Sequence, residues 1–516
     1  MCLTDMIDRV ARLYPERLAL DGVGGTYTYK ETVRLTNQIA HAIRRAGFRA
    51  GTRFAIYTPN HSLGLAVIVG GLRAGAVWCN INLRNSVVTN TSILARGGCD
   101  AIFYHSSASD SVSEFRKNCP SLKCFVCLDK AANGDPSLTD FIDGASSDPL
   151  TCDWDPQAQC FQGSTGGTTG EPKLTVGNAD LFSWSTLGFA TCFNYTEPPV
   201  NLALAPITHA AGFVALTHLA MAATVVLQTS TDVVDLARAI ERHRVTTLFL
   251  PPTLIYKMLT DLDPADYDFS SLKFIMSAAA PISPSKVAEA VAKFGPILCQ
   301  SYGQTETGMP LTFMSPAETA EAAHDPKKAR RLGSIGRQSM TIEGLEIMDD
   351  DGNILGPDEV GEIVVRAPSV MRGYLNDAEA TREISKFGWH HTGDMGHRDA
   401  DGYFYISDRK RDLIISGGFN IFPLELENVI LTHPAVQDCA VVGVSDAKWG
   451  ESVKVVLQLK AGRSVPAEDI IALVKDALGS MKAPRSVEFW PDLPRNAAGK
   501  VLKREIRARY AEADTQ

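Results

Sequence analysis

Gly163-Ser-Thr-Gly-Gly-Thr-Thr-Gly-Glu-Pro-Lys173 gathers four glycines, four hydroxyl residues and one lysine into eleven residues. Glycines let a backbone approach a ligand closely and adopt conformations barred to other residues. The main-chain N–H groups so exposed, with the hydroxyls of Ser164, Thr165, Thr168 and Thr169, suit the wrapping of an anion, and Lys173 adds a cation. The stretch reads as a polyphosphate loop. It is not a Walker P-loop, because Gly-Lys-[Ser/Thr] is missing at the required spacing. Taken alone, the same residues serve equally well as a flexible surface turn, so the rest of the chain must decide.

Bulk properties narrow the field. A chain of 516 residues exceeds the size at which one core keeps growing, so two or more domains are expected. Hydrophobic content of 45% and charged content of 21% are ordinary for a soluble globular protein. A net charge of −9 argues against nucleic acid as a partner. The charge is uneven: from Arg409 onward 16 Lys and Arg face 14 Asp and Glu, so all the negative excess lies in the first 408 residues. Eleven cysteines without a regular framework, and opening residues unlike a signal peptide, lead us to expect a cytoplasmic protein. Cys124-Phe-Val-Cys127 lacks a second pair at zinc-ribbon spacing and reads as a buried strand. The most apolar segment, Leu202 to Gln228, contains Pro206, Thr208, His209 and His218. It reads as a buried strand, loop and helix around a pocket, not a membrane span, and no integral membrane association is expected.

Short apolar runs alternate with helical patterns, the signature of α/β architecture. Arg53–Tyr57, Ala101–Tyr104, Thr246–Leu250 and Lys273–Met276 read as core strands, and Tyr29–Ala46 and Val233–His243 as helices. Ile363–Arg366 and Gly402–Ile406 look like antiparallel strands of a smaller subdomain, with Asp349–Gly352 as a hairpin turn. After residue 411 the pattern restarts as helix Pro423–Thr432, strands Val436–Val444 and Val453–Leu459, helix Ala467–Gly479 and strand Ser486–Phe489. That is a compact α+β unit of ordinary domain size.

The loop resembles the signature [Ser/Thr]-[Ser/Gly]-Gly-[Ser/Thr]-Thr-Gly-x-Pro-Lys of the adenylate-forming superfamily, which holds acyl-CoA synthetases, nonribosomal adenylation domains and luciferases. Further elements follow in that family's order: Pro206-Ile-Thr-His-Ala-Ala-Gly212, Ser277-Ala-Ala-Ala-Pro281, Tyr302-Gly-Gln-Thr-Glu306 and Met371-Arg-Gly-Tyr374. Gly388-Trp-His-His-Thr-Gly-Asp394, Asp408-Arg-Lys-Arg-Asp412, Ser416-Gly-Gly-Phe-Asn-Ile421 and Pro494-Arg-Asn-Ala-Ala-Gly-Lys500 complete the series. The likeness spans nearly the whole chain. It implies a large N-terminal domain, residues 1–410, with two α/β sheet subdomains, a small β subdomain and the acyl pocket. A small mobile α+β domain, 411–516, would follow, hinged at Arg411 and carrying the catalytic lysine.

The resemblance also implies chemistry. Family enzymes attack the α-phosphate of ATP with a carboxylate, release pyrophosphate, and pass the acyl group from the adenylate to a thiol, here that of coenzyme A. Implied ATP-binding residues are Thr165, Gly166, Gly167, Thr168, Thr169, Gly170 and Lys173 of the loop, Ala278 and Ala279 beside the adenine, and Tyr302, Gly303, Gln304 and Thr305. Asp394 and Arg409 would hold the ribose, Glu306 and Thr165 a Mg²⁺ ion, and Lys500 the reacting carboxylate and α-phosphate. His209 would line the acyl pocket and help the thiol step, with Glu306 and Lys500 as the other catalytic residues. Ala210, Ala211, Phe213, Ala278, Gly303 and Gly308 would shape a roomy acyl pocket for an apolar acid, whether fatty, aromatic or alicyclic. Gly417 and Gly418 would line the CoA tunnel. Lys503 and Arg504 read as solvated. Ala278 stands where the family more often has Gly and is expected to avoid positive φ, and Leu174 is expected to face the core. An enzyme loading a carrier protein remains the alternative, and a homodimer remains open.

Overall fold

The computed structural model describes residues 2–150, 155, 157–165, 172–446, 449–495 and 500–513. Gly166, Gly167, Thr168, Thr169 and Gly170 lie outside the described residues.

The first sheet is built on Arg53–Tyr57 and Ala101–Tyr104, aromatic and aliphatic runs that suit a strand covered on both faces. They lie parallel, flanked by Val77–Cys79 and Gln159–Gln162 on one side and Cys124–Cys127 on the other. Gly177–Asn178 closes the edge in antiparallel sense. Helix Tyr29–Arg45 starts at a capping box, in which Thr28 Oγ1 accepts from the Glu31 N–H and Glu31 Oε2 from the Thr28 N–H. Its apolar face buries Ile39, Ala40 and Ile43 in the core shared with Phe54 and Phe103.

The second sheet starts with an antiparallel edge strand, Gly25–Thr28, and then runs parallel through Leu18–Gly22, Thr224–Leu227, Val200–Ala203, Thr247–Leu250, Phe274–Ser277 and Leu298–Gln304. It then turns antiparallel through Gly308–Met314, Gly336–Gln338, Tyr403–Arg409, His390–Arg398, Gly361–Arg366 and Gly344–Met348. The small β subdomain anticipated around Ile363 and Tyr403 is therefore hydrogen-bonded to the second sheet as its continuation. Asp349–Gly352 makes a tight turn, with the Asp351 N–H on Asp349 Oδ1 and Gly352 at φ +90°. It leads to one bridge, Met348 to Ile354, before the chain reaches the neighbouring strand.

The smaller C-terminal domain has its own sheet, Phe419–Ile421, Ile414–Ser416, Gly450–Leu459 and Val436–Asp446, with Ser486–Phe489 parallel to Gly450–Leu459. Helices Pro423–Ile430 and Ala467–Leu478 cover a core of Leu426, Ile430, Val441, Val455 and Ile470. Helix Lys503–Ala513 sets Ile506 against the other face, with Ala440, Val442 and Val456.

Strands Val77–Cys79, Gln159–Gln162, Thr247–Leu250, Phe274–Ser277 and Leu298–Gln304 all discharge at their carboxyl ends into one cleft of about 1360 Å³. That is where open parallel sheets place ligands, because the connecting loops there are free to vary. The C-terminal domain closes one side of the cleft with Leu424, Lys500 and Arg507.

Candidate active site

The two ends of the glycine-rich stretch are clamped as a short antiparallel pair, Ser164 opposite Leu174 and Thr165 opposite Lys173. Leu174 is buried, as expected. The Gly163 N–H donates to Thr175 Oγ1 at 3.0 Å. A Cβ at Gly163 would lie 2.3 Å from Thr305 Cγ2, so only glycine lets the base of the loop touch the Tyr302–Glu306 segment. The Lys173 ammonium stands 5.0 Å above the Tyr374 ring, whose hydroxyl donates to Glu306 Oε1 at 3.0 Å. Thr165, Lys173, Thr305, Glu306 and Tyr374 thus line one end of the cleft.

Burial raises the pKa of Glu306, against the lowering effect of its hydrogen bonds. A carboxylate so placed gains from a cation. Among the described residues no group of three or more His, Cys, Asp or Glu stands together as metal ligands. One carboxylate with a nearby hydroxyl fits Mg²⁺, which takes few protein oxygens and fills its octahedron with phosphates and water.

Asp394 and Arg409 face each other across adjacent strands, with Arg409 Nε 2.6 Å from Asp394 Oδ1. Asp394 Oδ2 accepts from the Tyr302 hydroxyl at 2.5 Å and from Gln304 Nε2 at 2.7 Å. This buried carboxylate is held rigidly by donors from two motifs far apart in sequence. Lys500 reaches the same cleft from the C-terminal side, and its pKa is pushed down to about 8 by burial and then by the Arg409 guanidinium.

This constellation can be compared with known proteins. A family model described as AMP-binding enzyme matches residues 7–375, and a second, AMP-binding enzyme C-terminal domain, matches 425–500. The chain belongs to the AMP-binding enzyme family. It is 33% identical over 507 residues to a feruloyl-CoA synthase of Amycolatopsis sp., covering 97% of this chain and 98% of that one. An indoleacetate–CoA ligase of Aromatoleum aromaticum is 31% identical over 513 residues, covering 98% of each chain. Among solved structures, an amide bond synthetase from Marinactinospora thermotolerans superposes with a TM-score of 0.89 at 28% identity, covering 98% of this chain and 100% of that one. By class the protein is an ATP-dependent acid–CoA ligase.

Where the sequence led us to expect an acyl pocket in this AMP-binding enzyme, the residues are placed differently in several respects. His209, Ala210, Phe213 and Ala278 line the cleft, with Trp78, Phe161, Leu181 and Met309. Ala211 does not; it is buried behind the cleft wall, in a core with Phe189, Val214 and Ala278. Gly303 and Gly308 border the cleft through their backbones, but room does not come from their missing side chains. A Cβ at Gly303 would meet the Gly308 carbonyl oxygen at 2.4 Å, and one at Gly308 would meet Leu181 Cδ1 at 2.8 Å and Ser185 Oγ at 2.9 Å. Packing on backbone at Gly303, and a left-handed φ of +72° at Gly308, demand glycine there, not pocket width. The left-handed residue of the adenine-side turn is Ala279, at φ +73°, while Ala278 keeps an ordinary conformation.

His209 sits just before helix Ala210–Leu219, its Nδ1 3.5 Å from Asn80 Nδ2, and burial lowers its pKa. Asn80 and Tyr374 are site residues that the sequence reading did not single out. Tyr374 was legible as the end of Met371-Arg-Gly-Tyr374, whereas Asn80 carries no motif. Gly417 and Gly418 occupy the two-residue turn between Ile414–Ser416 and Phe419–Ile421, with φ of +57° and +82°, and lie outside the cleft in this conformation. Arg411 lines the cleft within the short turn Lys410–Asp412. Lys503 is not solvated: its ammonium lies between Glu427 and Asp408, while Arg504 is exposed as expected. No helix of the described residues is long and apolar enough to cross a membrane.

Proposed function

We propose that the protein activates an apolar carboxylic acid, whether aromatic, alicyclic or fatty, in two steps. The acid's carboxylate oxygen attacks the α-phosphorus of ATP and expels pyrophosphate. The thiolate of coenzyme A then attacks the acyl carbon and expels AMP. The observation that carries this reading is convergence: Lys500 from the C-terminal side enters the cleft that also holds Glu306, Asp394 and Arg409.

The roles follow from charge and reach. Asp394, acceptor-only and held by three donors, suits the ribose hydroxyls, and Arg409 adds a donor beside it. Lys173 and Thr165 face the outer phosphates. Mg²⁺, when bound at Glu306 and Thr165, neutralises phosphate charge. The Lys500 ammonium stabilises negative charge growing on the α-phosphate oxygens, as a preorganised positive charge. His209, neutral through burial, suits proton transfer from the entering thiol. The aromatic and aliphatic wall of Trp78, Phe161, Leu181, Phe213 and Met309 supports an apolar acyl group, in keeping with relatives named for feruloyl and indoleacetate substrates.

A panel of ferulate, indoleacetate, octanoate and succinate tests the reading by pyrophosphate and AMP release with and without CoA. We expect turnover with the aromatic acids and acyl-CoA as product. Turnover with succinate alone would overturn the pocket assignment. Adenylation with no transfer to CoA would redirect the second step to another acceptor.

A further inference from the structure

Asp408 lies in the last strand before the turn at Arg411, on the N-terminal side of the cleft. Helix Pro423–Ile430 opens the C-terminal domain proper. Its cap residue, Phe422, has no side chain able to accept a hydrogen bond, so the first helical N–H groups need an acceptor from elsewhere. Asp408 supplies one: its Oδ2 accepts the Leu424 N–H at 2.9 Å. The same oxygen stands 3.7 Å from the ammonium of Lys503, in the last helix of the C-terminal domain. Lys503 in turn stands 2.9 Å from Glu427 Oε1, which also accepts the Val441 N–H at 2.8 Å. Both carboxylates are buried. Burial alone would lower the Lys503 pKa, but Glu427 and then Asp408 outweigh it and keep the group charged.

We propose that Asp408 is a positioning residue that docks the C-terminal domain in the orientation that brings Lys500 to the α-phosphate. One carboxylate holds the domain's first helix by capping it and its last helix by charge. Rotation about Arg411 leaves Asp408 behind and carries Leu424 and Lys503 away, so both contacts break together. Glu427 travels with Lys503 and keeps it paired during the swing, which makes release of Asp408 tolerable for a buried cation. The latch therefore favours the adenylating arrangement without belonging to the reacting groups. The inference rests on the two-step reading above.

The test uses the full-length enzyme and the variants Asp408→Ala and Asp408→Glu. Two half-reactions are measured separately: acid-dependent exchange of pyrophosphate into ATP, and formation of acyl-CoA from synthetic acyl-adenylate. Tryptic cleavage after Lys410 and Arg411 reports undocking without any activity. Asp408→Ala is expected to slow exchange by at least about tenfold, to leave thioester formation within about twofold, and to speed cleavage at the turn. Asp408→Glu restores part of the exchange. Equal loss of both half-reactions at an unchanged melting temperature, or cleavage at the wild-type rate, overturns the latch. If wild type itself performs neither half-reaction, the functional reading fails while the cleavage test still judges the docking. Should Asp408→Ala not fold, Asp408→Asn keeps the shape and the acceptor for the Leu424 N–H but removes the charge that faces Lys503. It is expected to give the same asymmetry, and symmetric loss there also overturns the proposal.

Discussion

Lys500 shows how placement sets the behaviour of one side chain. An ammonium is ordinarily charged to beyond pH 10, but here burial and the neighbouring Arg409 bring the pKa down to about 8. If the charged form stabilises the α-phosphate, kcat/KM for ATP in pyrophosphate exchange falls as pH rises through about 8. The limb in kcat lies higher, because bound phosphates restore the charged form. Lys500→Arg is expected to abolish the alkaline limb in kcat/KM, since a guanidinium does not deprotonate in this range. Lys500→Ala is expected to cost adenylation about 100- to 1000-fold, the scale of a lost preorganised charge. Its use of preformed acyl-adenylate stays largely intact. An unaltered pH limb in Lys500→Arg would remove Lys500 from the step. Glu306 admits a parallel test. Glu306→Gln keeps shape but loses the charge, and the Mg²⁺ dependence of exchange is expected to shift to higher concentration, because an amide is a poor ligand for a hard cation. Superimposable magnesium titrations would exclude it from the metal site.

At the scale of elements, the loop Pro206–Gly212 illustrates backbone crowding as the means of presenting a side chain. Gly212 packs on the preceding turn so closely that a Cβ would fall 1.6 Å from the Ile207 carbonyl oxygen. No rotamer change relieves a clash with backbone. Gly212→Ala is expected to destabilise the fold by at least about 3 kcal/mol, the upper end of overpacking costs, read by urea denaturation. It is also expected to displace His209 and depress thioester formation more than exchange. The sequence announced this loop through its motif, as it did most elements, because hydrophobic period and glycine placement are local properties. Arg53–Tyr57, Ala101–Tyr104, Val233–His243 and Ser486–Phe489 fell where the pattern put them. What escaped was non-local. Joining of the small β strands to the second sheet depends on Gly336–Gln338, a three-residue strand without a readable period. Ala211, two residues after the motif histidine, packs into the core behind the cleft wall, because helical rotation carries it away from the cleft. Lys503 looked like a solvated tail residue because Glu427 and Asp408, its partners, are distant in sequence.

Over the whole molecule, the two parts meet around one cleft, and the proposed two-step chemistry asks for two arrangements of them. With Lys500 in the cleft and Gly417 and Gly418 outside it, this conformation suits adenylate formation. On the proposed two-step reading the C-terminal domain turns to admit a thiol, and Arg411 lies in the short turn that joins the parts. Proline at 411 fixes φ near −65° and restricts Lys410 before it. Arg411→Pro is therefore expected to trap one arrangement, so that one half-reaction falls by at least about tenfold, some 1.4 kcal/mol of barrier, while the other survives. Gly418→Leu probes the opposite face of the same motion. Both turn residues have positive φ, the requirement of a two-residue hairpin, so leucine costs about 1–2 kcal/mol locally. Its Cβ meets no other atom within 4 Å in the present conformation. The obstruction appears only if the turn swings against the acyl-adenylate, so exchange is expected to survive and thioester formation to fall. Equal loss of both half-reactions in a folded Arg411→Pro or Gly418→Leu protein would show that one arrangement serves both steps.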